Sequence, residues 1–171
     1  MRKKGVAFKQ LPPVLKLHLA RFDYDRVARA TVKINDRFEF PTPRDLNGAG
    51  RRYFTTEADP AVVNTYRLQS VLVHSGGPNS GHYYSYIRPL SSVEWYRFDD
   101  KRVTLVSERE AVEGQYGDGE RGASAYMLFY VRASEGEQSD EAAAAATAAD
   151  ARRNFTVDAP IGALRQGSAD S

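Results

Sequence analysis

Cysteine is absent from the 171 residues, which excludes disulfide bonds, thiolate zinc ligands and a cysteine nucleophile within the chain. An excess of one charge sign is also absent, since 24 Lys and Arg nearly balance 22 Asp and Glu. The scattered basic pairs form no stripe that would bind nucleic acid. No apolar run approaches the roughly 20 residues of a membrane span or resembles a signal peptide. We therefore expect no nucleic acid or membrane partner, and an intracellular location in the nucleus, the cytoplasm or both.

Segments rich in aromatic and β-branched residues predict a largely antiparallel sheet. YRLQSVLVHS, HYYSYIRP and WYRF follow one another, separated by SGGPNSG and PLSSVE. Alternating leucines predict an earlier strand from Val14 to Phe22, and TVKIN, RFEFP and VTL predict short strands. AYMLFYVR is apolar on both faces and predicts a central strand.

Ser107 stands three residues before Glu110, an arrangement that caps a helix start, and it predicts a short helix from Glu108 to about Tyr116. Gly117 would end that helix. Residues 23–30 are expected to form a loop and residues 43–65 a surface insertion with no core role. Residues 133–171 are too poor in apolar side chains to join a core and predict a disordered tail. The sequence thus predicts one α+β, sheet-rich domain over residues 1–132.

The segment VHSGGPNSGHYYSY joins two predicted strands by a loop with three glycines. His82 opens the second of these strands, and Asp99 closes the next. If Arg88 pairs with Trp95, Asp99 is the diagonal neighbour of His82, and if Arg88 pairs with Val93, the two lie directly opposite. Either register brings the imidazole near the carboxylate, as in a catalytic general base and equally in a structural pair.

Five segments, in order, resemble the C-terminal part of the ubiquitin-specific protease catalytic domain. They are LPPVLKLHLARFDYD, KINDRFEFP, YRLQSVLVHSGGPNSGHYYSYIRP, WYRFDDKRVT and AYMLFYVR, and the match covers about residues 5–132. Within the family, the likeness is nearest to the herpesvirus-associated member. The resemblance implies the antiparallel, palm-like half of a papain-like cysteine protease fold.

The same resemblance implies roles for individual residues. It makes His82 the catalytic base, Asp99 the residue that orients it, and Asp100 a local assistant. It further implies contacts with the C-terminal tail of ubiquitin, or a blocking loop over that tail, for Phe22, His74, Gly76, Gly77, Gly81 and Tyr83. For His74 the implied role is structural or tail-contacting.

The family's nucleophilic cysteine belongs to a segment that would precede Met1, so we expect the isolated chain to be inactive. Expected partners are ubiquitin, ubiquitinated proteins and the N-terminal half of the catalytic domain, with no cofactor and no metal. One alternative is a ubiquitin-binding fragment that does not cleave. Two others are a serine hydrolase using Ser75, Ser80 or Ser85, and a metal site of His74, His82 and Asp99.

Overall fold

The computed structural model describes residues 5–47, 53–90, 92–118 and 122–133. These residues form a seven-stranded sheet, a separate two-stranded sheet and one short helical segment. The elements are β1 Val14–His18, β2 Phe22–Asp25, β3 Ala30–Lys33, β4 Pro43–Asp45, β5 Thr65–Gly76, β6 Gly81–Ile87, β7 Trp95–Asp99, β8 Arg102–Val106, α1 Glu108–Ala111, a 3₁₀ turn Glu113–Gln115 and β9 Ala123–Arg132. The large sheet has the order β1-β9-β5-β6-β7-β8, with β4 pairing on β5.

The strand predicted from Val14 to Phe22 is wrong in its second half. β1 ends at His18, and Phe22 opens β2, which pairs with β3 in the small sheet, so the loop predicted at residues 23–30 is a hairpin. The buried side chain of Arg21 holds the bend between β1 and β2, because its guanidinium reaches backbone carbonyls on other segments. These carbonyls belong to Ala125, Ile34, Asp36 and Tyr116.

The strand predicted at RFEFP is also wrong. Phe40 is buried, but this segment lies outside both sheets and packs against the helical region. The Phe38 amide donates to the Tyr116 carbonyl, and the Tyr116 hydroxyl donates to the Phe40 carbonyl. The alternation of phenylalanines therefore reflects burial of their rings without a strand ladder.

The segment predicted as a surface insertion, residues 43–65, contributes to the core where the structure describes it. β4 pairs with the start of β5, and Leu46 and Ala58 are buried. The many turn-forming residues of this segment led to the prediction of a surface insertion. Local composition does not reveal pairing with a strand that lies some twenty residues further along the chain.

The helix begins where predicted but is shorter. The Ser107 side chain accepts a hydrogen bond from the Glu110 amide, which confirms the predicted cap. α1 ends at Ala111, and the 3₁₀ turn replaces the rest of the predicted helix around Gly114, a weak helix former. Gly117 ends this region with a φ of 90°.

The core lies between one face of the large sheet and the helical segment. Val71, Tyr86, Trp95 and Leu128 are each at most 2% exposed. Gln69 bulges out of the pairing between β5 and β9, so the buried positions of β5 change phase between Leu68 and Val71. The bulge keeps this long strand on the core through its whole length.

Among the described residues, no helix is long and apolar enough to cross a membrane. The tail predicted from residue 133 falls, apart from Ala133, outside the described residues. Ala133 itself is buried, and its amide bonds to the carbonyl of Thr65.

Candidate active site

The hairpin formed by β6 and β7 brings His82 and Asp99 together. Ile87 pairs with Tyr96 and Ser85 with Phe98, which is the register that sets Arg88 opposite Trp95. Of the two registers left open by the sequence, the structure therefore takes the diagonal one. His82 and Asp99 lie on the core-side face of the sheet, at the end where the hairpin between β5 and β6 turns.

The imidazole and the carboxylate are directly bonded. His82 Nε2 lies 2.5 Å from Asp99 Oδ1, and the two side chains are 48% and 26% exposed. A carboxylate in this position favours a proton on Nε2 and leaves Nδ1 as the free basic nitrogen. The imidazole is therefore oriented and accessible, as a general base has to be.

The charges around this pair shift both pKa values. The hydrogen bond to Asp99 raises the pKa of His82 above its ordinary value, and the nearby Asp100 carboxylate acts in the same direction. The same bond lowers the pKa of Asp99, and a bond from Arg97 lowers it further. The pair thus favours imidazolium beside carboxylate.

Asp100 lies in the two-residue turn between β7 and β8, with a φ of 50° that Asp tolerates better than most residues. Its side chain is exposed. Ligand atoms of His82, Asp99 and Asp100 lie within 4.8 Å of one another, close enough to share a cation. Exposed acidic groups often cluster in this way without an ion, so the arrangement by itself indicates no metal site. His74 is not part of this group, so the structure does not assemble the alternative set of His74, His82 and Asp99.

Arg97 is a site residue that sequence reasoning missed. Its Nη2 donates to Asp99 Oδ2 at 2.6 Å, while its guanidinium carbon lies 4.2 Å from the centre of the Tyr84 ring. The available signal was the spacing, because residues two apart on a strand share a face. Arg97 therefore lies beside Asp99 on the core-side face of the sheet.

His74 lies on the other face of the β5–β6 hairpin. It pairs with Tyr83, whereas its neighbour Ser75 pairs with His82. The His74 ring is 4% exposed and contacts the rings of Phe22 and Tyr83, with centroids 5.2 and 4.8 Å away. Burial, and to a lesser degree the charge of Lys33, lower the pKa of His74, which favours the neutral form of this ring. Three of the residues implied to contact the ubiquitin tail thus form one cluster.

The glycines of the hairpin loop have different environments. Gly76 has a φ of 106°, which only glycine adopts readily, and Gly77 has no atom near the place of a side chain. Gly81 packs against the His74 ring, where a Cβ atom would lie 2.1 Å from Nε2. Gly76 and Gly81 therefore shape the ends of the loop, and Gly77 lies in the open.

Lys33 is a second residue that the sequence did not reveal. From the end of β3, its Nζ donates to the carbonyls of His74, Gly76 and Gly122. Backbone acceptors leave no side-chain pattern, so the sequence carried no signal for this contact. Lys33 fixes the base of the glycine loop.

A family model and individual known proteins both place the chain in the same protein family. Residues 1–130 match the family described as ubiquitin carboxyl-terminal hydrolase. Ubiquitin C-terminal hydrolase 13 of Arabidopsis thaliana is 47% identical over 150 residues, covering 78% of this chain and 14% of that protein. Ubiquitin carboxyl-terminal hydrolase 7 of Drosophila melanogaster is 43% identical over 139 residues, covering 77% and 12%. The chain therefore spans less than a sixth of the length of these curated relatives.

Solved structures show the same likeness. A chain of the SAGA Ubp8/Sgf11/Sus1/Sgf73 DUB module matches with a TM-score of 0.57 and 27% identity. The match covers 75% of this chain and 25% of that one. It confirms the predicted fold class, a sheet-rich α+β fold of the papain-like cysteine protease type with one short helix.

Proposed function

Because the chain belongs to the ubiquitin carboxyl-terminal hydrolase family, we propose that it acts in deubiquitination as the part that carries the general base. The proposed reaction is thiol-dependent hydrolysis of the peptide or isopeptide bond after the C-terminal glycine of ubiquitin. The observation that carries this proposal is the 2.5 Å bond between His82 Nε2 and Asp99 Oδ1.

In the proposed mechanism, His82 Nδ1 takes the proton of a cysteine thiol, and the thiolate attacks the carbonyl carbon of the scissile bond. The resulting imidazolium is stabilised by Asp99 and donates its proton to the leaving amine. His82 then takes a proton from water as the water oxygen attacks the thioester carbonyl. The carbon–sulfur bond breaks, the leaving cysteine thiolate recovers that proton from His82, and ubiquitin is released with a free C-terminal carboxylate. Since the 171 residues contain no cysteine, the thiol comes from a different segment, the N-terminal half of the catalytic domain.

We assign the ubiquitin tail to the glycine loop and to the aromatic cluster beside it. Tyr83 is 48% exposed while its ring contacts His74, so it offers an apolar surface that is already held in place. Gly77 leaves space for a peptide backbone to approach. Phe22, His74 and Tyr83 would then support the tail, and residues 76–81 would cover it.

A second candidate function is ubiquitin binding without cleavage. The absence of cysteine favours it, because the chain by itself holds a base but no nucleophile. The two candidates differ only in what the chain does when a thiol-bearing segment is supplied.

The test measures hydrolysis of a fluorogenic substrate in which the reporter is joined to the ubiquitin C-terminus. The purified chain alone should give no turnover. Adding the cysteine-bearing catalytic segment of a family relative should give turnover that His82→Ala abolishes and that Asp99→Ala lowers at least tenfold, in line with the ~10²–10⁴-fold worth of an oriented base. The herpesvirus-associated type is the first segment to try.

His18→Ala is the matched control, because His18 is an exposed histidine on β1, and three strands of the sheet separate β1 from the strand of Asp99. It should leave the rate unchanged. Turnover by the chain alone would contradict the need for a second segment, and equal rates with Asp99→Ala would contradict the role of Asp99. Ubiquitin binding without turnover in any mixture would support the second candidate.

A further inference from the structure

We propose that Arg97 is a positioning residue, which holds one oxygen of Asp99 so that the other stays on His82. The inference rests on the proposed function, in which the His82–Asp99 pair supplies the base. Asp99 Oδ1 is bonded to His82 at 2.5 Å, and Asp99 Oδ2 accepts from Arg97 Nη2 at 2.6 Å. The terminal torsion of an aspartate is broad, so partners on both oxygens are what fix it.

The strand register creates the need for such a residue. The observed pairing of β6 with β7 ends at Ser85 and Phe98, and the same register continued along the chain would set His82 opposite Lys101, with Asp99 as its diagonal neighbour. On one face of an antiparallel pair of strands, residues that are diagonal neighbours are separated by about 7–8 Å, whereas the Cβ atoms of residues directly opposite are separated by about 4.5–5.5 Å. The backbone therefore does not guarantee contact between the two side chains, and the orientation of the carboxylate decides it.

Arg97 is itself held in place by an aromatic ring. Its guanidinium carbon lies 4.2 Å from the centre of the Tyr84 ring, and the Tyr84 ring stacks at 30° to the His82 ring with centroids 6.2 Å apart. The Arg97 side chain is 35% exposed, so its bond to Asp99 is partly shielded from water. The cation–π contact and this shielding separate Arg97 from an ordinary surface ion pair.

Only one donor of Arg97 contacts Asp99. Nη2 makes the bond, whereas Nε has no partner among the described residues. A single positively charged donor is therefore sufficient to hold the Asp99 carboxylate, and lysine at position 97 should hold it in part.

A positioning role and a purely electrostatic role predict opposite changes at His82. The charge of Arg97 by itself lowers the pKa of His82, whereas the bond to Asp99 raises it more strongly. If Arg97 acted only as a neighbouring charge, its removal would raise the pKa of His82. If Arg97 holds Asp99, its removal loosens the bond and lowers the pKa of His82.

The other ionisable groups around His82 and Asp99 are the same in the wild-type chain and in its Arg97 variants. Tyr84 lies on the strand of His82, Asp100 in the adjoining turn, and Arg102 opposite Asp99 on β8. From the helix, Glu110 accepts a hydrogen bond from Tyr86, the residue that pairs with Arg97. None of these groups is altered in the variants below.

The test titrates His82 by NMR in the full chain, following its ring carbon signal against pH. Arg97→Gln should lower the pKa of His82 by on the order of one unit, toward the value found in Asp99→Asn. Arg97→Lys should recover at least half of that drop. An unchanged or raised pKa in Arg97→Gln would overturn the proposal, and so would a Lys variant that behaves like the Gln variant.

Arg37→Gln is a matched control. Arg37 also bonds a carboxylate two residues along, Glu39 at 2.9 Å, and also lies over a tyrosine ring, Tyr116 at 5.0 Å. It should leave the pKa of His82 unchanged. An equal drop in this control would mean that loss of any such arginine acts through the whole fold, and the proposal would fail.

The reconstituted enzyme gives a second readout. Arg97→Gln should lower kcat with little change in KM, because Arg97 does not belong to the residues assigned to the ubiquitin tail. If no cysteine-bearing segment restores cleavage, the proposed function fails while the NMR titration still decides the role of Arg97. If the wild-type mixture cleaves and Arg97→Gln changes neither kcat nor the pKa of His82, the positioning role fails and the proposed function stands.

Discussion

Replacing Gly81 with alanine should destabilise the fold, because the added methyl group has no space. Its carbon would lie 2.1 Å from His74 Nε2 and 2.7 Å from the carbonyl oxygen of Ser75. The His74 ring is buried against Phe22 and Tyr83 and cannot simply rotate away. The Ser75 carbonyl belongs to β5 and is equally fixed. Overpacking of a filled site costs about 1–3 kcal/mol, and we expect a value in the upper half of that range.

The other two loop glycines provide graded comparisons. At Gly76, alanine would have to adopt a φ of 106° with its Cβ 2.8 Å from the Ser80 carbonyl oxygen. The left-handed backbone alone costs about 1–2 kcal/mol for a residue with a side chain. At Gly77 nothing lies within 4 Å and φ is outside the left-handed region. Alanine there should be neutral or stabilise by about 0.4–1 kcal/mol through the unfolded state.

Urea unfolding followed by tryptophan fluorescence measures all three variants. Trp95 is the single tryptophan and is 1% exposed, so its emission reports on the core. Because small domains lose about 1–3 kcal/mol of stability per molar urea, a loss of about 2 kcal/mol shifts the midpoint by about 1 M. A Gly77→Ala variant as unstable as Gly81→Ala would refute this reasoning, and so would a Gly81→Ala variant with an unchanged midpoint.

Two further predictions concern stability. Arg21→Met should lower the free energy of unfolding by about 3 kcal/mol or more, because it leaves buried carbonyls without the donors that Arg21 supplies. The same urea titration measures this loss. The control Lys16→Met replaces an exposed residue of β1 and should have little effect on the free energy of unfolding. The second prediction is that His74 and His82 affect the pH dependence of stability with opposite signs. The folded pKa of His74 is lowered, so below about pH 6.5 the unfolded chain gains a proton that the folded chain refuses, and His74→Leu should reduce the loss of stability between pH 7 and 5. The pKa of His82 in the folded chain is raised, so its stabilising contribution is complete below about pH 6.5 and is lost as the pH rises through the folded pKa. Without this contribution, the His82→Ala variant should lose more stability than the wild type between pH 7 and 5.

The hairpins that carry His82 and Asp99 could be predicted from the sequence because their signals are local. β5 to β8 follow one another through short connections, and alternation within each strand fixes which side chains share a face. Parity reduced the pairing of β6 with β7 to two registers, and both brought His82 near Asp99. The contact is therefore confirmed, while the catalytic roles of both residues stay predictions.

The contacts that the sequence did not reveal depend on distant backbone atoms. Arg21 bonds the Ala125 carbonyl 104 residues away, and Lys33 bonds carbonyls on β5 and just before β9. Any residue can supply a carbonyl, so no side-chain pattern marks the acceptor. The bulge at Gln69 escaped for a related reason, since YRLQSV looks like one uninterrupted strand until its partner β9 is known. Arg97 differs from these residues, because its two-residue spacing from Asp99 is visible in the sequence. That spacing shows that the two side chains share a face, but it does not show that they are bonded.

The pairing of β1 with β9 has a consequence for how this unit can be joined to other polypeptides. Val14 lies opposite Val131, and the amide of Arg132 bonds to the carbonyl of Pro13, so the first and last strands of the large sheet run side by side in opposite directions. The chain therefore enters and leaves this sheet at a single point on its edge. A unit with that connectivity can be placed inside a longer polypeptide as an insertion, with both junctions remote from the hairpins that carry His82 and Asp99.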